Sequence, residues 1–315
     1  MAATLTASSG FVLPDGRTIC YRLSFADDVK RPTILLAGML ATTGAVWARV
    51  VDELHRAGFR TLAYDHPGHG GSAPPAVLST NTFEAMSDDV LALVKGLLGG
   101  RGIEPPQKEL LHAWIGCSLG AATGVVFAAR HPGILRHLVV CDTGSQSPFA
   151  AGGPDAVDSF TPRVQAARAA GSLAETLAGT RTRWFGQAWL QNPAHADEAG
   201  RLQALMAETT LDGYETCIAA LLAPGFDLER HEAPRLADCL PPGGRVLVLV
   251  GEKDEPLPPA MKTLASLIRA GFAAKYGAAA AEKSVRFAVV PGAGHASFVD
   301  GFDAWCALVL PFLQS

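Results

Sequence analysis

The nine histidines and six cysteines of this chain never fall into metal-ligand spacing: there is no C-x-x-C pair and no H-E-x-x-H. The pattern therefore offers no metal site and implies no cofactor. Nor do Cys20, Cys117, Cys141, Cys217, Cys239 and Cys306 pair by spacing; three lie in apolar runs, and the six read as buried free thiols. Charge is scarce as well. Only 18% of residues are charged, the net charge is -4, and no basic stripe or polybasic segment stands out. That argues against nucleic acid and against a membrane surface as partners and leaves a small molecule. No apolar run reaches the length of a bilayer span, and "MAATLTASSG" lacks the cationic start and apolar stretch of a secretory leader. The expectation is a cytoplasmic protein, with a homo-oligomer left open.

What the chain does have is apolar content, 49% over 315 residues, enough for one large α/β domain or for a core with an inserted subdomain. Short runs rich in β-branched residues alternate with helix-like segments: "TILLAG" (33–38), "TLAYD" (61–65), "LLHAWIG" (110–116), "LVVCD" (138–142), "RVLVLVG" (245–251) and "RFAVVPG" (286–292). Continuous apolar runs of this kind predict strands covered on both faces, hence a doubly wound, mostly parallel sheet with crossover helices. From about 146 to 240 the strand signals stop. "TPRVQAARAAG" carries Pro162 in a first-turn position and Gly171 as a stop, and "SLAETLAG" opens with Ser172 and Glu175 in capping-box spacing. The expected organisation is a core from 1–145 and 240–315 with a helical cap at 146–239. That cap is bounded by the loop "SQSPFAAGGP" and the turn "LPPGG". The patch "GAAAAEKS" (277–284) reads as a surface excursion.

One motif carries chemistry. Gly116-Cys117-Ser118-Leu119-Gly120 fits G-x-S-x-G, in which small neighbours let a strand bend sharply into a helix and lift a serine hydroxyl clear of the sheet. A serine needs a base, and the base needs a carboxylate to orient it. Asp254 follows the strand "RVLVLV", and His295 lies in the glycine-rich loop after the last strand, in the required chain order. All three would emerge at the carboxyl edge of a parallel sheet, where ligands gather. Asp142, at the end of "LVVCD", is the rival acid, and Glu252 and Glu255 qualify by proximity only. Backbone N–H donors for a developing oxyanion are expected from Leu119 and, in the loop "LLAGMLATTGAVW", from Met39, with Leu40 as the one-residue alternative. The turn "YDHPGHGGS" should shape the same edge, with His66 and His69 in structural roles.

With those residues in place, the chain resembles the α/β-hydrolase superfamily over nearly its whole length. "ILLAGMLATTGAVWARVVDELHRAGFRTLAYDHPGHGGSAPP" is similar to that family's opening segment, and "WIGCSLGAATGVVFAARHPGILRHLVVCDT" to its nucleophile elbow. "VLVLVGEKDEPLPP" and "VVPGAGHASF" are similar to its acid and histidine segments. Two departures stand out: the family's frequent His-Gly before the oxyanion residue is Ala37-Gly38, and the arginine often found in its D-x-R-G-x-G-x-S turn is Pro67. Within the superfamily, "RWF" (183–185) and "GYETC" (213–217) resemble the cap of 3-oxoadipate enol-lactone hydrolases. That resemblance implies a cofactor-free serine hydrolase acting on an enol-lactone or related small ester. It puts Trp184 and Tyr214 either in cap packing or on the substrate, and Arg183 or Arg181 near a substrate carboxylate. A carboxylesterase or C–C bond hydrolase on a larger substrate is the alternative, and a ligand-binding protein without turnover is the third.

Overall fold

The computed structural model describes residues 7–99, 109–150 and 158–314. Eight strands form one sheet in the order β1-β2-β4-β3-β5-β6-β7-β8. They are β1 Ser9–Val12, β2 Thr18–Leu23, β3 Thr33–Ala37, β4 Arg60–Tyr64, β5 Leu111–Cys117, β6 Leu135–Cys141, β7 Arg245–Gly251 and β8 Val285–Val290. From β4 to β8 every pairing is parallel, and β1 and β2 join as an antiparallel edge. The central strands β3 and β4 are buried at every position, as their unbroken apolar runs predict.

The six predicted strands are present within a few residues of their expected bounds. The hairpin β1–β2 is absent from the sequence-based expectation because β1 is largely exposed and has no apolar run to betray it. Helices α1 (Ala48–Arg56), α2 (Phe83–Leu98) and α3 (Leu119–Arg130) cover the sheet in its first half. Between β6 and β7 the described residues form helices α4 Thr161–Ala170, α5 Ala174–Leu190, α6 Ala196–Ala207, α7 Leu211–Leu222, α8 Leu228–His231 and α9 Leu236–Cys239, with short 3-10 turns between. This is the helical insertion. Gly171 ends α4 at φ 63 as its position predicts, whereas Ser172 caps differently from expectation. Its Oγ accepts the N–H of Ala174 at 3.1 Å, and Leu173 takes the N-cap position. Part of the expected linker "SQSPFAAGGP", residues 151–154, lies outside the described residues. The remaining helices are α10 Leu257–Tyr276, α11 Ala278–Ser284, α12 Ser297–Asp300 and α13 Phe302–Gln314. The patch at 277–284 is thus mostly helix α11, since four consecutive alanines favour helix more than they favour a loop.

Glycines set how closely backbones approach where the catalytic candidates emerge. A Cβ on Gly116 would land on the Gly120 carbonyl, and one on Gly120 would land on the carbonyls of Ala37 and Gly38. Strand β5 and helix α3 can therefore nest against β3 only if both positions are bare. Gly124, one turn on, makes room for the Trp114 indole, whose Nε1 donates to the Gly120 carbonyl at 3.0 Å. A Gly120→Val variant drives two methyls into fixed backbone; it is expected to lose folded yield or to melt at least about 10 °C lower. A thermal melt monitored by circular dichroism checks this.

Candidate active site

Ser118 sits between β5 and α3 with φ 53 and ψ -118, a left-handed conformation that a non-glycine residue rarely holds. The strain is sustained by its frame: the Ser118 N–H donates to the Cys141 carbonyl at 2.9 Å, and the Ser118 carbonyl accepts from Ala121 and Ala122 at 3.0 Å each. Leu119 opens α3, so its N–H has no carbonyl four residues back and is free to face an incoming group.

The candidate acid and base arrive on two loops laced together. Glu252 donates its N–H to the Val290 carbonyl at 3.0 Å and Lys253 to the Ala293 carbonyl at 2.8 Å. Gly251 is needed there, because a Cβ would strike the Ala293 and Gly294 carbonyls. At the tip, His295 Nδ1 lies 2.9 and 3.1 Å from the two carboxylate oxygens of Asp254. A nitrogen facing a carboxylate is the protonated one, so Nδ1–H donates to Asp254 and Nε2 keeps its lone pair. The Trp184 ring stacks on the imidazole, with centroids 5.5 Å apart at 23°, and its carbonyl accepts the His295 N–H at 3.1 Å. Trp184 thus holds His295 in place and also lines the cavity.

Asp142, the rival acid, is fully buried at φ 49 and does not reach the imidazole. Its Oδ1 accepts the Gly251 N–H at 2.7 Å and its Oδ2 the Ser297 hydroxyl at 2.5 Å. It fastens the ends of the acid and histidine loops to β6. Burial, and then the nearby Asp254 charge, push its carboxyl well above the usual range.

Ser118, Asp254 and His295 share one cavity of about 400 Å³ between the sheet edge and the helical insertion. Its volume suits a small ligand. Leu40 is on its wall, while Met39 is completely buried beside it. Tyr214 and Arg183 line the cavity, and burial raises the Tyr214 phenol above its ordinary pKa. Arg181 is elsewhere, donating to the Gln203 carboxamide at 2.6 Å on the exposed face of α5 and α6. Sequence reasoning missed Arg163, which enters the cavity from α4 and has Phe160 beneath its guanidinium at 5.3 Å. Its only signal was its place one residue after Pro162 at a helix start. Neither Arg163 nor Arg183 is ion-paired with a carboxylate among the described residues. Partial burial, and then the Arg163 charge, pull Arg183 below its ordinary pKa. Among the described residues no group of histidine, cysteine and carboxylate side chains is arranged to hold a metal, and no helix is long and apolar enough to cross a membrane.

The insertion is seated on the turn after β4. Thr210 donates its N–H and hydroxyl to the Gly68 carbonyl at 3.0 and 2.9 Å, and Gly68 and Gly213 touch backbone to backbone. This accounts for the glycine of "GYETC": a side chain there would unseat α7.

A profile of the alpha/beta hydrolase fold matches residues 32–302. The chain belongs to the alpha/beta hydrolase family. The chain is 25% identical to 3-oxoadipate enol-lactonase 1 of Acinetobacter baylyi over 207 residues, 65% of this chain and 68% of that one. It is 27% identical to the pimeloyl-[acyl-carrier protein] methyl ester esterase of Yersinia enterocolitica over 284 residues, 89% of this chain and 92% of that one. The enol-lactonase structure from Burkholderia xenovorans LB400 superposes with a TM-score of 0.75 at 26% identity, covering 98% of this chain and all of that one. Two further curated relatives are matched over only 41% and 38% of their own length. The relatives of this chain thus include esterases and lactonases by name.

The two carboxylates are separable by mutation. Asp254→Asn should lower ester turnover by about four orders of magnitude, since it removes the partner that selects the imidazole tautomer. Asp142→Asn, which keeps an acceptor for Gly251 and a neighbour for Ser297, should cost less than about tenfold. Steady-state hydrolysis of a nitrophenyl ester by both variants checks the assignment.

Proposed function

We propose that this hydrolase cleaves a small ester or lactone through an acyl-enzyme on Ser118. The observation that carries the reading is that Ser118 and the hydrogen-bonded His295–Asp254 pair line one cavity at the carboxyl edge of the sheet. His295 Nε2 takes the hydroxyl proton of Ser118 as Oγ attacks the carbonyl, and Asp254 holds the imidazole and stabilises its charged form. The N–H groups of Leu119 and Met39 receive the oxyanion; each such donor is worth about 3–4 kcal/mol in the transition state. When the tetrahedral intermediate collapses, the alkoxide or enolate leaves and takes the proton from His295. Water, deprotonated in turn by His295, then hydrolyses the acyl-enzyme.

Within that class we favour an enol-lactone bearing a carboxylate, such as 3-oxoadipate enol-lactone. Ring opening then expels an enolate that relaxes to a ketone, a good leaving group. Two arginines without counter-ions, Arg163 and Arg183, stand beside the Tyr214 hydroxyl on the same cavity as Ser118, and a substrate carboxylate would relieve their mutual repulsion. The relatives with enol-lactonase names support the same choice. A carboxylesterase acting on a longer chain is the second reading. The apolar part of the wall, Phe160, Leu221, Phe226 and Leu257, favours it, as does the likeness to the methyl ester esterase.

Intact-protein mass spectrometry after treatment with a serine-directed phosphonate should show one adduct on the wild type and none on Ser118→Ala. A substrate panel should then rank lactones carrying a carboxylate above neutral esters of equal size, with Arg163→Ala raising KM for the anionic set about tenfold or more. Equal inertness of wild type and Ser118→Ala towards every ester would revive the reading as a binding protein. A uniform preference for long neutral acyl chains would favour the esterase.

A further inference from the structure

Several peptide groups of the loop after β3 are gripped from outside the loop or by its own turn. The Gly38 carbonyl accepts from Gly120 N–H at 3.0 Å and lies 2.9 Å from His66 Nε2. The Met39 carbonyl accepts the Thr42 N–H at 3.3 Å and its hydroxyl at 2.9 Å, and the Ala41 N–H points at His69 Nε2, 2.9 Å away. The N–H groups of Met39, Leu40 and Thr43 have no acceptor among the described residues, although all three residues are buried; of these, Met39 and Leu40 stand at the cavity that Ser118 lines. A buried donor without an acceptor is costly, and it is tolerated where a ligand supplies the missing atom.

The tautomers of both histidines follow from their partners. His66 Nε2 faces a carbonyl oxygen and so carries the proton, while its Nδ1 has no partner among the described residues. His69 Nδ1 faces the Pro67 carbonyl at 2.9 Å and carries the proton there, leaving Nε2 as the acceptor for Ala41. Burial keeps both rings neutral, lowering His66 to about 4 against the opposing pull of the Asp65 charge and His69 to about 3, with the two rings edge to face. In a trans peptide the C=O and the following N–H point in opposite directions. Whatever grips the Gly38 carbonyl therefore aims the Met39 N–H.

We propose that His66 is a positioning residue of the hydrolytic site: by donating Nε2–H to the Gly38 carbonyl it holds the Gly38–Met39 peptide with the Met39 N–H towards the reacting carbonyl oxygen. It touches no substrate. The inference rests on the serine-hydrolase reading above, and on Met39 rather than Leu40 as the second oxyanion donor. His66 reaches Gly38 from the turn after β4, so the chain aims its oxyanion peptide from a neighbouring strand end. His69 braces the far side of the same loop through Ala41, whose φ of 61 marks the sharp bend it stabilises.

The test compares His66→Gln, whose carboxamide N–H can replace Nε2–H, with His66→Leu and His66→Met, which fill the space without a donor. All are checked for folding by circular dichroism and melting. On a nitrophenyl ester, the Leu and Met variants should lose about tenfold or more in kcat with KM within about twofold of wild type. They should also bind a trifluoromethyl ketone, which mimics the oxyanion, correspondingly more weakly, and His66→Gln should restore most of both. A folded Leu or Met variant with wild-type kcat overturns the proposal, as does a Gln variant no better than Leu. If neither apolar variant folds, His66→Gln decides alone: wild-type kcat and ketone affinity support the proposal and their loss contradicts it. A wild type that forms no phosphonate adduct on Ser118 would instead sink the hydrolase reading itself.

Discussion

Close approach of bare backbone at the carboxyl edge of the sheet is the constraint on which the site depends. Gly116 and Gly120 let the elbow nest on the end of β3, and Gly251 lets the acid loop lie against the histidine loop. Side chains at these positions would separate the three loops by more than a hydrogen bond tolerates, since the imidazole–carboxylate contact spans only 2.9 Å. Packing in a dry interior transmits such displacements rather than absorbing them. The positive φ of Ser118 and Asp142 is the conformational cost of the arrangement, held in place by the surrounding hydrogen bonds.

Around that frame, buried polar groups act as fasteners. Asp142 ties the strand ends that carry the acid and the base, Trp184 both caps the imidazole and accepts its backbone N–H, and the histidine pair after β4 grips the loop after β3. The helical insertion lines one side of the cavity and brings the only arginines that line it, among the described residues, while Ser118, Asp254 and His295 come from the core. This division suits a fold in which the core supplies the reaction and the insertion supplies the choice of substrate.

The parallel strands were legible because both their faces are buried, which writes each as an uninterrupted apolar run. Ser118, Asp254 and His295 were legible because each follows such a run at a strand end, where topology must bring them together. The edge hairpin was not legible, since β1 is mostly exposed and carries no apolar periodicity. Arg163 escaped because a single arginine on an amphipathic helix looks the same whether it faces water or a cavity. The partners of His66 and His69 were equally hidden: a buried histidine hydrogen-bonded to a loop 28 residues away leaves no pattern in the sequence. Distance separates Asp254 from Asp142, since only Asp254 bonds to the imidazole, and both stand at strand ends that the sequence could not tell apart.

A crystal structure of the phosphonate adduct tests the central claim most directly. The account requires phosphorus bonded to Ser118 Oγ, the phosphoryl oxygen within hydrogen-bond reach of the Leu119 and Met39 N–H groups, and His295 Nε2 facing the seryl oxygen while Nδ1 stays on Asp254. Phosphorus on any other residue, or an imidazole turned away from Ser118 in the adduct, would contradict it.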